Sequence, residues 1–92
     1  MFRIAEGLRM LKEVERLLRM LLENRDVYFD KMGYLNSEGM KIVSRIARMI
    51  AEELPEYRGR IEELRAKRDL ETVVKLLGDL HDKLPYLNQD HD

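Results

Sequence analysis

An all-α domain is predicted by three features of the chain. Apolar residues recur at three- and four-residue spacing through most of its 92 positions, the period of an amphipathic helix. Runs of β-branched residues alternating with period two are missing, which removes the usual strand signal. Gly33, Pro55 and Pro85 fall at the ends of the periodic segments, where chain-turning and helix-ending residues belong. Together these features place helices at about 2–32, 37–54, 56–67 and 69–84. The predicted architecture is a small four-helix bundle-like domain over residues 1–87 with one long N-terminal helix and a loose tail at 88–92.

The first helix carries Ile4, Leu8, Leu11, Val14, Leu18, Leu21, Leu22, Phe29 and Met32 on one stripe. With Leu11 at zero and 100° per residue, Leu22, Phe29 and Met32 fall at about 20°, 0° and 300°. The phase therefore persists across Asn24, Arg25 and Asp26, although Asn and Asp favour turns. Continuous phase predicts a helix kinked near Asn24 that runs to Met32, with Gly33 as its left-handed C-cap. Such a helix is roughly 46 Å long, and the shorter helices leave its N-terminal half without an intramolecular partner.

Asn36 or Ser37 is an N-cap for the second helix, and Glu38 suits the positive end of its dipole. Met40, Ile42, Val43, Ile46, Ala47, Met49, Ile50, Ala51 and Leu54 form a wide apolar face, which predicts burial from two sides. Pro55 ends this helix and opens the next. The third helix offers only Tyr57, Ile61 and Leu64 among many charges, so its outer surface is solvated. Asp69 caps the fourth, whose Leu70, Val73, Val74, Leu77, Leu80 and Leu84 line one face before Pro85. His81 falls near that face and is expected to be half-buried.

Composition narrows the function classes. There is no cysteine, so disulfides, thiolate metal sites and cysteine nucleophiles are excluded and a reducing cytoplasm is the expected setting. Arg3, Glu6, Arg9, Lys12 and Glu13 interrupt the N-terminal segment at once, so neither a signal peptide nor a membrane span is predicted. Arginine supplies 11 of the 17 bases and glutamine appears once, a bias shared with thermophilic proteins. His81 and His91 have no ligand partner at helical spacing, and no phosphate loop or nucleophile arrangement is present, so no metal, cofactor or catalytic residue is assigned.

The remaining readings concern association. A helix that outreaches its neighbours predicts a non-enzymatic protein that pairs with itself, or with another helical protein, through Ile4, Leu8, Leu11, Val14 and Leu18. Charge distribution carries the alternative. Residues 41–68 hold eight bases and five acids, whereas residues 69–92 hold two bases and six acids. On that basis Lys41, Arg45, Arg48, Arg58, Arg65 and Arg68 form a candidate nucleic-acid surface on the second and third helices.

Overall fold

Among residues 2–87, whose backbone the computed structural model describes, five helices follow one another, and side-chain surroundings are described for residues 9–82. They are α1 (Phe2–Glu23), α2 (Arg25–Tyr28), α3 (Ser37–Glu53), α4 (Arg58–Lys67) and α5 (Leu70–Leu87), with a 3₁₀ turn at Pro55–Tyr57 between α3 and α4. The all-α prediction and the four principal helices hold. The first helix is shorter than predicted, ending at Glu23 instead of Met32.

Local hydrogen bonding explains that early end. The Asn24 side-chain amide donates to the Met20 carbonyl at 2.9 Å, and the backbone leaves the helical region at φ −125°, ψ 51°. A short polar side chain that bonds its own backbone offers an alternative to the helical ladder. After the single turn of α2, Phe29 is extended and forms an isolated antiparallel bridge with Leu35. Asp30 Oδ1 accepts from the amides of Met32 (2.9 Å) and Tyr34 (3.0 Å), closing a turn of the kind aspartate favours. Gly33 takes the predicted positive φ, 89°, inside this turn and not as a helix cap. Phe29 still reaches the core, whereas Met32 is 80% exposed.

Asn36 then fixes the start of α3 with both ends of its amide. Its Oδ1 accepts from the Gly39 amide at 2.9 Å and its Nδ2 donates to the Val27 carbonyl at 2.8 Å. Of the two caps predicted, Asn36 and Ser37, the former serves, and it is also a clasp on the end of α2. Close approach demands glycine two residues into α3, since a Cβ at Gly39 would lie 2.5 Å from the Tyr28 carbonyl oxygen and 2.7 Å from Leu35 Cδ2.

The α2–α3 connector is tied to the α4–α5 connector by backbone alone. The Leu35 amide donates to the Arg68 carbonyl at 2.7 Å and the Leu70 amide to the Gly33 carbonyl at 3.2 Å. Arg68 adopts the left-handed conformation (φ 56°, ψ 23°) that ends α4, and its amide donates to the Leu64 carbonyl. Asp69 follows as the predicted cap, accepting from the Thr72 amide at 2.9 Å and from the Thr72 hydroxyl.

The four long helices close into a ring. α1 packs against α3 and α5, α4 packs against α3 and α5, and among the described residues the backbones of α1 and α4, and of α3 and α5, do not approach closely. Polar contacts mark the α5 register: Glu15 of α1 meets His81, while Arg60 and Glu63 of α4 meet Asp79 and Lys75. Along α4 and α5 the numbers run in opposite senses, and Leu70 lies beside Arg25 and Phe29, beyond the end of α1, while His81 lies at Glu15, so both pairings are antiparallel. The interior is filled by Leu17, Leu18 and Leu21 of α1, Val43, Ile46 and Ile50 of α3, Ile61 and Leu64 of α4, and Val73, Leu76 and Leu80 of α5.

This ring corrects the expected association surface. Leu11, Val14 and Leu18 are 5%, 0% and 0% exposed within a single chain. The physical reason is length: α1 has 22 residues, roughly 33 Å at helical rise, and its neighbours α3 and α5 have 17 and 18, so the two flanking helices reach the stripe expected to stay bare. The last helix runs past Pro85 to Leu87. Only two residues follow Pro85 in it, so the missing amide removes one bond from a final turn. The Ile4 and Leu8 side chains and the 88–92 tail lie outside the described residues.

Gly39→Ala is expected to destabilise the fold by about 1–3 kcal/mol through overpacking. Gly59→Ala, where an added Cβ meets nothing within 4 Å, should be neutral or stabilising by up to ~1 kcal/mol. Urea unfolding of both variants checks the contrast.

Candidate interaction surface

The buried face of α5 is not the face that its apolar pattern marks. Leu70, Val73, Val74, Leu77, Leu80 and Leu84 centre on one direction, while the buried residues Val73, Leu76 and Leu80 centre about 60° away at 100° per residue. The rotation leaves apolar side chains on the rim facing α1. Val74 is 50% exposed, and Leu70 and Leu77 are half-buried against the core. Leu22 of α1 is half-buried as well. Seven residues separate Glu15 from Leu22 and seven separate His81 from Val74, so the antiparallel Glu15–His81 contact sets Leu22 level with Val74. The result is an apolar strip along the α1–α5 seam.

Polar groups bound this strip. His81 is exposed, not half-buried as expected, because its side of α5 points along the seam, where Nδ1 lies 3.2 Å from Glu15 Oε2. Arg19 reaches the same carboxylate at 3.5 Å. On the opposite side of α5, Lys75 approaches Glu63 at 3.9 Å, a longer contact than the 3.1 Å from Lys67 to the same oxygen. Exposed apolar side chains also occur at Val27, Met32 and Tyr34, near the end of the bundle where the connectors meet.

The six candidate nucleic-acid contacts divide among α3, α4 and the connector that follows α4. Lys41, Arg45 and Arg48 share one exposed strip of α3, with Lys41 paired to Glu38 at 3.0 Å. Arg58 and Arg65 lie on an exposed face of α4 with Glu62 between them, 4.0 Å from Arg65. Arg68 is committed by its backbone to the connector tie, yet its side chain joins Lys41, Ser37 and Ser44 around an open depression of about 420 Å³ at the start of α3. The Arg16 side chain hydrogen-bonds the Glu13 carboxyl and holds it below its usual range, with the charges of Arg16 and Arg45 assisting. Burial of that carboxyl opposes the shift.

Two further polar groups are buried where α4 and α5 meet. The Tyr57 hydroxyl is buried without a hydrogen-bond partner, and burial pushes the phenol up, assisted by the charges of Glu56 and Asp79. Asp79 Oδ2, also buried, lies 3.1 Å from Arg60 Nε as an ion pair without an aligned hydrogen bond. Tyr57 was expected only as a contact of a weak helix. Among the described residues no three His, Asp or Glu side chains gather as a metal site, and no helix is long and apolar enough to cross a membrane. Comparison of the chain with protein-family models, curated proteins and solved structures finds no match.

The Asp69 cap has a pH signature. Hydrogen bonds from the Thr72 side chain and amide hold the Asp69 carboxyl below its usual value. A group depressed in the folded state stabilises fully above its unfolded value, about 3.9, and loses that contribution as pH falls through the lower folded value. Asp69→Asn should keep much of the cap at neutral pH and remove this part of the acid-induced loss. Urea midpoints of both proteins from pH 7 to pH 3 measure it.

Proposed function

We propose that this chain is a non-catalytic helical protein that works by protein association, as a homodimer formed through the α1–α5 rim. The reading is carried by one observation: a closed helical ring keeps Leu22, Leu70 and Leu77 half-buried around a half-exposed Val74. Continuous apolar strips with polar edges are the kind of surface that partners cover. Leu11, Val14 and Leu18 are satisfied inside one chain, so the rim replaces them as the contact surface.

The test is sedimentation at tens of micromolar. The expected mass is twice the 11.0 kDa of the chain. Val74→Glu, at an exposed helical position, should return the mass to that of one chain while the helical circular dichroism is kept. A wild-type monomer under these conditions would contradict the proposal.

A second reading draws on the depression where Lys41 and Arg68 converge beside Ser37 and Ser44. There the bases would contact nucleic-acid phosphates. Affinity for duplex DNA should then fall steeply between about 50 and 200 mM salt, and Lys41→Ala with Arg68→Ala should flatten that slope. Absence of binding at low salt removes this reading.

A further inference from the structure

Gly78 is exposed in the interior of α5, where an added Cβ would meet nothing within 4 Å. Its φ is not positive, since Gly33 is the glycine with that conformation among the described residues. No intramolecular contact or backbone twist therefore calls for glycine, although glycine weakens a helix interior. What it supplies is close approach from outside.

The neighbours of Gly78 are arranged for one particular visitor. At 100° per residue, Val74 lies about 40° from Gly78 on the side of the α1–α5 strip, with His81 just beyond it. Lys75 and Asp82 lie together on the other side, about 20° apart. Lys75 precedes Gly78 by three residues and Asp82 follows it by four. An antiparallel copy of α5 crossing at Gly78 thus sets Lys75 opposite the partner's Asp82, and Asp82 opposite the partner's Lys75. The same two-fold places Val74 beside the partner's His81. Each contact is made twice, as a self-complementary interface requires.

We infer that a second copy of this chain docks antiparallel on α5, with Gly78 at the two-fold axis and reciprocal Lys75–Asp82 pairs flanking it. The inference rests on the association reading above and specifies its geometry. Lys75 is available for this role because the Glu63 carboxylate is held more closely by Lys67. Glycine at the axis lets the two helix backbones approach, so the exposed Val74 reaches the partner surface.

Sedimentation equilibrium of the full chain tests the geometry. Lys75→Asp and Asp82→Lys each place like charges in contact twice and should weaken self-association about tenfold or more. The double variant Lys75→Asp/Asp82→Lys restores opposite charges and should return the dissociation constant to within about threefold of wild type. Gly78→Leu, a good helix former at an open site, should abolish the dimer with helicity unchanged. A dimer that Val74→Glu dissociates but the charge reversals leave intact overturns this geometry and spares the association reading. Single reversals that weaken the dimer without rescue by the double also overturn it, and a monomeric wild type overturns both.

Discussion

Two backbone hydrogen bonds, from the Leu35 amide to the Arg68 carbonyl and from the Leu70 amide to the Gly33 carbonyl, join connectors that are more than thirty residues apart. Each connector alone is a turn on the surface. Joined, they fix where α5 begins relative to the end of α1. From that start α5 runs back along α1 and meets Glu15 with His81, and α1, flanked by α3 and α5, buries Leu11, Val14 and Leu18. A buried backbone group without a partner is costly, so the tie also satisfies groups that the fold-back takes from solvent.

Several side chains serve the same end. Asn24 ends α1 by bonding the Met20 carbonyl, Asp30 closes the turn, and Asn36 clasps α2 while capping α3. Gly39 makes room for the Tyr28 carbonyl, and Arg68 takes a left-handed conformation that non-glycine residues seldom adopt. Asp69 then restarts the chain as a helix. Asn24, Asp30, Asn36 and Gly39 thus replace the helical ladder that the apolar phase alone would have extended to Met32.

The apolar period made α3, α4 and α5 legible, and capping chemistry located Asp69 and narrowed the start of α3 to Asn36 or Ser37. The end of α1 was not legible because hydrophobic phase records which residues are buried and not the path between them. Phe29 is buried through a β-bridge to Leu35, and a helix would have given it the same phase. Leu17 and Leu76 lay outside the expected stripes but are buried because each helix has neighbours on two sides. The rim at Val74 was hidden for a related reason. Its residues all belong to the apolar face in the sequence, and only the side on which α1 packs decides which of them stay at the edge.

The connector tie places α5 against α1, and the surface left over is a consequence of that placement. Amide hydrogen exchange followed residue by residue tests it most directly. With the tie in place, the Leu35 and Leu70 amides exchange as slowly as those of core residues such as Ile46, because they open with the whole fold. The Met32 amide, held only by the Asp30 side chain at an exposed turn, exchanges fast. Slow exchange running unbroken from Glu23 through Met32, with fast exchange at Leu35, would mean one continuous first helix and no tie.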